Sequence, residues 1–162
     1  MKKWIFLWFG VFGIVSACQS SKGVSNSRSK MDTVTFEVIS SGSQSAMEQE
    51  GVQLIDNETS WLALWKEVHH NQFPVPESIS VDFSKYQVIA IFMGMKTTGG
   101  YQVKAESLQL DSSTFRLQAI YELPGKNCML TEALTYPFLI LKTPRQSAQK
   151  VDTQITRKQI DC

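Results

Sequence analysis

The sequence is poor in residues that commonly do chemistry. It contains two histidines, His69 and His70, and three cysteines among 162 residues. Adjacent residues of a helix point about 100° apart, so the two histidines cannot easily share one metal ion. No cysteine or further histidine stands at ligand spacing, and no pair of acidic residues is fixed by spacing for acid–base work. We therefore predict no metal site and no cofactor.

Recognisable catalytic and nucleotide-binding motifs are also missing. The sequence has no serine nucleophile elbow, no phosphate-binding P-loop and no dinucleotide fingerprint. It lacks an excess of charge of one sign, because 16 Lys and Arg residues face 15 Asp and Glu residues, for a formal charge of +1. A nucleic-acid-binding protein usually carries a basic excess. These absences predict a protein that is not an enzyme and does not bind nucleic acid.

The apolar run at the start of the chain is too short for a transmembrane helix. Lys2 and Lys3 precede a run over residues 4–15, whereas a membrane-spanning helix needs about 20 residues. A positive start and a short apolar run are typical of a secretory signal. The ending Val15-Ser16-Ala17-Cys18 resembles the lipobox of bacterial lipoproteins. This resemblance implies a lipoprotein signal peptide over residues 1–17 and a membrane anchor of palmitate-type lipid on Cys18. Cleavage of a plain signal peptide elsewhere is the alternative.

Residues 18–33 are predicted to form a flexible tether after the lipidated cysteine. Five of the fifteen residues 19–33 are serine, and only Val24 and Met31 are apolar. A flexible chain of this length reaches about 20 Å. In some envelopes, bacterial lipoproteins with Asp after the lipidated cysteine stay in the inner membrane, whereas Gln19 stands here. The resemblance therefore favours the outer membrane of a bacterial cell envelope, on its periplasmic or surface face.

Residues 34–162 are predicted to form a single β-rich domain. The continuous apolar run over residues 87–93 predicts a central strand buried on both faces, and the polar turn at residues 111–114 predicts a hairpin. The fold class predicted is α+β, mainly β: an antiparallel sheet or sandwich of about six to seven strands with one amphipathic helix packed on it. The strands are expected at 34–39, 51–55, 87–93, 101–110, 115–122, 136–142 and 150–156.

The helix is predicted over residues 58–70. Trp61, Trp65 and Val68 lie on one of its faces, and Asp56 or Asn57 can cap its start. Two tryptophans four residues apart favour a core stripe. Together with Tyr101, they are also compatible with a small-ligand or glycan-binding protein, which remains an alternative function.

The cysteines that remain after lipidation of Cys18 are Cys128 and Cys162. An even pair in an exported domain predicts a disulfide bond, which would also hold the C-terminus in place. The alternative is a free Cys128 that works with His69 or His70 as a hydrolase, and a disulfide bond excludes it.

The most distinctive stretch follows the apolar strand. Adjacent glycines allow positive φ angles and close approach of another backbone. We predict a candidate binding loop there, and the alternative is a tight connection between two core strands. Its residues are Gly94, Lys96, Thr98, Gly99, Gly100 and Tyr101.

Residues 81–142 resemble the C-terminal domain of the PrcB family of protease complex subunits. The resemblance rests on Val81-Asp82-Phe83-Ser84, Val88-Ile89-Ala90, Thr98-Gly99-Gly100-Tyr101, Cys128, Leu130-Thr131 and Tyr136-Pro137. It implies a non-catalytic accessory or stabilising subunit that binds a partner protein such as a surface protease. Thr97 stands where the family usually has proline, so the loop is expected to be less preordered.

A second resemblance concerns the loop alone. Residues 97–101 are similar to the Thr-Thr-Gly-Tyr loop of chagasin-type inhibitors of cysteine proteases, with one glycine inserted. This implies an alternative function, protease inhibition through the loop 96–101.

Overall fold

The computed structural model describes residues 31–162. The predicted signal peptide 1–17, the lipidated Cys18 and residues 18–30 of the tether lie outside the described residues. Within the described part, no helix combines the length and apolar composition needed to cross a bilayer. The elements are β1 (Asp32–Val34), β2 (Glu37–Gly42), β3 (Glu50–Ile55), α1 (Glu58–Val68), β4 (Tyr86–Met93), β5 (Gln102–Asp111), β6 (Thr114–Pro124), β7 (Phe138–Pro144) and β8 (Lys150–Ile160).

Eight strands form two four-stranded sheets. The outer sheet has the order β1-β5-β6-β8, and the central sheet has the order β2-β7-β4-β3. The predicted mainly β class with one helix is confirmed. The strand count exceeds the expected six to seven because the segment 34–39 is not one strand. Val34 ends β1 in the outer sheet, and the chain crosses through Thr35 and Phe36 to begin β2 in the central sheet.

One strand pair differs from the expected antiparallel arrangement. β6 and β8 are parallel, in a register that runs from Thr114 opposite Lys150 to Pro124 opposite Ile160. β7 lies between them in sequence but belongs to the central sheet. Because β7 carries the chain back along the molecule, β8 must run in the same direction as β6. The other five strand pairs of the described chain are antiparallel.

The sheets and the helix form three layers. One core lies between the sheets and includes Ile89 and Ile91 from β4. The alternate residues Val88, Ala90 and Phe92 face the other way, where α1 packs against the central sheet. Every residue from 87 to 93 is buried. The prediction of a central strand buried on both faces is therefore confirmed.

The helix begins as predicted and ends two residues early, at Val68. The side-chain oxygen of Asn57 accepts the N–H of Ser60 at 2.9 Å, which makes Asn57 the N-cap. Trp61 and Trp65 are 1% and 6% exposed, and their indole N–H groups donate to backbone carbonyls of the segment that follows the helix. The two rings are therefore core residues and offer no accessible face to a ligand.

The strand directions give the sandwich two distinct ends. At one end, which we call the loop end, lie the connections 43–49, 94–101 and 125–137 and the C-terminus. At the opposite, N-terminal end, β1 begins with Asp32 opposite Leu110. The ten residues of β5 run from one end to the other, a length of about 30 Å.

Candidate functional site

The candidate binding loop runs beside a second loop at the loop end. Lys96 and Thr135 exchange backbone hydrogen bonds of 2.8 and 2.9 Å, and the Thr135 hydroxyl donates to the Thr98 carbonyl oxygen at 2.8 Å. The Gly99 N–H donates to the carbonyl oxygen of Thr131 at 3.0 Å. We call the segments 94–101 and 125–137 the loop pair. Their mutual hydrogen bonds hold the first loop in place although it has Thr97 instead of proline.

The two glycines with positive φ are required by the protein's own packing. Gly94 has φ of 71°, and a β-carbon there would lie 2.8 Å from the backbone nitrogen of Glu50. Gly100 has φ of 87°, and a β-carbon there would lie 3.0 Å from the Leu130 side chain and 3.1 Å from Pro124. At Gly94 the close neighbour is backbone of the same chain, and at Gly100, one of the two adjacent glycines, it is side chains of the same chain.

Lys96 and Tyr101 are also engaged inside the molecule. The Lys96 ammonium group donates to the carbonyl oxygens of Met93, at 2.6 Å, and Met95, at 3.3 Å. It thus satisfies carbonyl groups where β4 ends. Tyr101 is half-buried and packs against the core between the sheets. Both side chains stabilise the first loop of the pair.

A disulfide bond ties the second loop to the C-terminus. Cys128 and Cys162 are bonded, with their α-carbons 5.4 Å apart, as the cysteine count predicted. The Gly125 N–H donates to the Ile160 carbonyl oxygen at 2.9 Å, which joins the same two segments a second time. The alternative of a free Cys128 beside a histidine is wrong, because its sulfur is bonded to Cys162. His69 is buried elsewhere, stacked on Trp65 in the helix layer.

Three exposed apolar side chains of the loop pair were missed by the sequence reasoning. Met95, Met129 and Leu134 have exposed fractions of 49%, 101% and 54%. A usable signal was present for Met95, the one aliphatic side chain of the polar and glycine-rich segment 94–101, whereas Met129 and Leu134 stand among other apolar residues.

The domain has one cavity at the loop end and another on the outer sheet. A cavity of about 340 Å³ opens at the loop end beside Gly100, Tyr101 and Phe138. Another of about 350 Å³ lies on the outer sheet beside Arg116 and Gln118. Over residues 31–162, no group of three or more His, Cys, Asp or Glu side chains is placed to hold a metal ion.

The architecture is that of a small β-sandwich domain with a braced loop pair at one end. Residues 87–144 match the family model described as PrcB C-terminal. This stretch runs from β4 to β7 and contains both loops of the pair, so this part of the chain is similar to the PrcB C-terminal domain. The resemblance predicted from the sequence is therefore confirmed. Neither the curated proteins nor the solved structures give a match to the chain.

Proposed function

We propose that this protein is a non-catalytic accessory subunit of a bacterial cell envelope, anchored by lipid on Cys18. It binds a partner protein, such as a surface protease, and stabilises the complex. The observation that carries this proposal is the match of residues 87–144 to the PrcB C-terminal domain. The family resemblance implies assembly with a protease.

The placement of the chain's N-terminal end supports a contact surface at the loop end. The described chain enters β1 at the end of the sandwich opposite the loop pair. A lipid on Cys18 would therefore join the domain at one end and leave the loop pair about 30 Å away, at the other. This arrangement leaves loops 94–101 and 125–137 accessible to a partner protein at the end away from the anchor.

The disulfide bond of Cys128, the candidate catalytic nucleophile, supports a role without catalysis. Attack by cysteine requires a thiolate, and the Cys128 sulfur is held in a disulfide bond. The His69 ring nitrogen Nδ1 lies 2.9 Å from the Trp65 carbonyl oxygen, within the buried helix layer. Neither group is placed to act on a substrate.

Co-purification from the native envelope after mild crosslinking tests the accessory role. A tagged full-length chain is expected to bring down a defined partner in a fixed ratio. Recovery of the protein alone from crosslinked envelopes would contradict the proposal.

Lipidation is tested separately, by metabolic labelling with radioactive palmitate. Label is expected on the wild type and is expected to be lost in Cys18→Ala, which should also leave the membrane fraction. Equal labelling of both proteins would refute an anchor at Cys18.

A protease-inhibitor role is the second candidate, and one feature of the loop favours it. Thr97 is exposed at the tip of a loop that hydrogen bonds to Thr131 and Thr135 hold in place. Inhibitors of proteases often present such a rigid loop. Titration against papain decides the matter, since the absence of inhibition at micromolar concentration would exclude this role for papain-like enzymes.

A further inference from the structure

We propose that this protein forms a symmetric dimer through its last strand, β8. In this dimer β8 pairs antiparallel with β8 of a second copy and joins the two four-stranded outer sheets into one continuous sheet. The inference concerns the association of the chain with itself and goes beyond the proposed accessory role.

β8 is a long edge strand whose outer side is open. It is the last strand of the outer sheet and pairs with β6 over its eleven residues, from Lys150 to Ile160. On its other side, no strand of the described chain pairs with it. The nearby β3 belongs to the central sheet and meets β8 through the side chains of Glu50 and Arg157, 3.2 Å apart. The outward backbone N–H and C=O groups of β8 are therefore available to a further strand.

The other edge strands of the two sheets carry features that disfavour strand addition. β1 has only three residues, β2 has a register shift in its middle, and β3 has six residues with Gly51 near its start. Short strands, bulges and glycines all weaken pairing at an edge. β8 contains no glycine or proline, and three residues near its centre, Thr153, Ile155 and Thr156, are β-branched. It is therefore the edge that suits a further strand.

The charges of β8 complement those of a second β8 in one register. When the two strands cross at Ile155, all eleven residues of each are paired. Asp152 of each copy then lies directly opposite Lys158 of the other. Both side chains are exposed and lie on the same face of the sheet, as alternate residues of a strand do. Opposite charges at directly opposed positions stabilise a strand pair.

The neighbouring registers lack this match. Opposed residues keep their faces only when one strand slides by two residues along the other. Sliding in one direction places Lys150 opposite Lys158, and sliding in the other places Asp152 opposite Ile160. The charge pattern therefore selects the same register that pairs the whole strand, and it penalises one of the alternatives.

A second copy suits this edge better than the chain's own N-terminal segment. Residues 19–30 lead into β1, which lies at the opposite edge of the outer sheet. Their only β-branched residue is Val24, so they also have little preference for a strand. A strand of an unrelated protein would have to supply the matching charges, whereas β8 itself supplies both of them.

The dimer leaves both loop pairs open to a partner protein. The paired edge contains no residue of the segments 94–101 and 125–137. Because the strands run antiparallel, the loop end of each copy lies beside the N-terminal end of the other. The two chains thus enter the dimer at opposite ends, about 30 Å apart. With a lipid on each Cys18, the continuous sheet would lie lengthwise along the membrane.

Site-specific photo-crosslinking of the full chain in its native envelope tests the pairing. A photoreactive amino acid replaces Thr156 in one variant and Thr33 in the matched control. Both are exposed threonines on edge strands of the outer sheet, Thr156 on β8 and Thr33 on β1. We expect position 156 to give a product of twice the chain's mass, linked near Gln154 of the second copy, and position 33 to give none.

Charge reversal tests the register, with the Kd of the dimer measured by sedimentation equilibrium of the full chain in neutral detergent. Lys158→Asp is expected to raise the Kd about fivefold or more, because it places two carboxylates opposite each other at both ends of the pairing. Asp152→Lys/Lys158→Asp restores opposite charges and is expected to lie within about twofold of the wild type. Lys150→Asp is the matched control, since Lys150 lies opposite Ile160, and little change is expected. Asp152 also lies 3.7 Å from Arg116, so unfolding curves check that each variant folds.

Several outcomes would overturn the inference. One is an equal Kd for the wild type and Lys158→Asp, and another is a double variant that associates as weakly as the single one. Equal products of twice the mass from positions 156 and 33 would indicate unspecific aggregation. A crosslink from position 156 to a different protein alone would assign the edge to a strand of that protein. A monomer in sedimentation, with no crosslinked pair in the envelope, would overturn the dimer and leave the accessory role intact, because that role is tested by co-purification of a different protein.

Discussion

Gly94 ends β4 in a backbone conformation that residues with a side chain rarely adopt. Its φ of 71° turns the chain out of the central sheet, and Met95 then donates its N–H to the Glu48 carbonyl oxygen at 2.9 Å. The backbone of residues 48–50 passes so closely that only a hydrogen atom fits on this side of Gly94. One residue thus determines both the direction of the first loop and its contact with the start of β3.

Replacing Gly94 by alanine is expected to lower the free energy of unfolding by about 2–4 kcal/mol. Positive φ costs a residue with a β-carbon about 1–2 kcal/mol, and the contact with backbone atoms adds to it. Urea unfolding measures the effect. The control is Gly51→Ala, where no atom lies within 4 Å of the added carbon and little change is expected. Equal effects of the two substitutions would contradict the argument.

Tyr121 is a second residue whose environment has a measurable consequence. It is 1% exposed, and its hydroxyl donates to the Phe92 carbonyl oxygen at 3.2 Å, which links the two sheets. Burial raises the pKa of Tyr121 to about 12, and the nearby Glu50 carboxylate adds to this rise. The folded state therefore keeps the phenolic proton at pH values where the unfolded chain loses it.

Stability is expected to fall between pH 10 and pH 12 because of Tyr121. Over this interval the folded protein binds up to one more proton than the unfolded chain, so the free energy of unfolding decreases with pH, by roughly 2 kcal/mol in total. Urea unfolding at pH 9, 10, 11 and 11.5 measures the slope. Tyr121→Phe is expected to be less stable at pH 9 and to show a shallower slope. An unchanged slope would assign the pH dependence to other groups.

The helix α1 shows how one element depends on both local and tertiary contacts. Its start follows from the sequence, because Asn57 caps it and the apolar residues recur with helical period. Its end depends on the fold: the His69 ring is buried between Trp65 and Phe138, and the Val68 carbonyl oxygen accepts the Ala46 N–H at 3.1 Å. The expected continuation to residue 70 therefore does not form.

Asn57→Ala is expected to destabilise the protein by about 1 kcal/mol. The substitution removes the oxygen that accepts the Ser60 N–H at the first turn of α1. The measurement is the urea midpoint, compared with Asn57→Ser, which keeps a capping oxygen and is expected to lie close to the wild type. If the alanine variant matches the serine variant, the cap does not stabilise the helix.

At the scale of the whole molecule, the loop end is assembled from parts far apart in sequence. The connections 43–49, 94–101 and 125–137 and the C-terminus meet there because of the strand order. The disulfide bond then joins residues 34 positions apart, at the ends of two segments that otherwise share few hydrogen bonds. These links hold the segments 94–101 and 125–137 in place.

Loss of the disulfide bond is expected to lower the free energy of unfolding by about 2–4 kcal/mol, mainly because the unfolded chain gains freedom. Cys162→Ser, or addition of a reductant to the wild type, produces the change, and urea unfolding measures it. The double variant Cys128→Ser/Cys162→Ser is the control, since reductant should not shift its midpoint. A wild-type midpoint that reductant leaves unchanged would show that the bond contributes little.

Local patterns in the sequence were sufficient for several features of this protein. The apolar run 87–93 predicted β4 because a strand buried on both faces needs apolar residues at nearly every position. The spacing of Trp61, Trp65 and Val68 predicted the buried face of α1, and the cysteine count predicted the Cys128–Cys162 bond. The strand and the helix face each depend on the residues of one segment, and the disulfide bond depends on the number of cysteines.

Other features were decided only by the tertiary structure. The parallel pairing of β6 with β8 and the division of residues 34–39 between two sheets depend on which strands become neighbours. The Lys96 ammonium group meets the Met93 carbonyl oxygen only after Gly94 has turned the chain, and the loop pair exists only after Lys96 has paired with Thr135. The sequence by itself determined the kinds of elements and their buried faces, because those follow from the period of apolar residues. The site arose from contacts between distant segments, which no local pattern encodes.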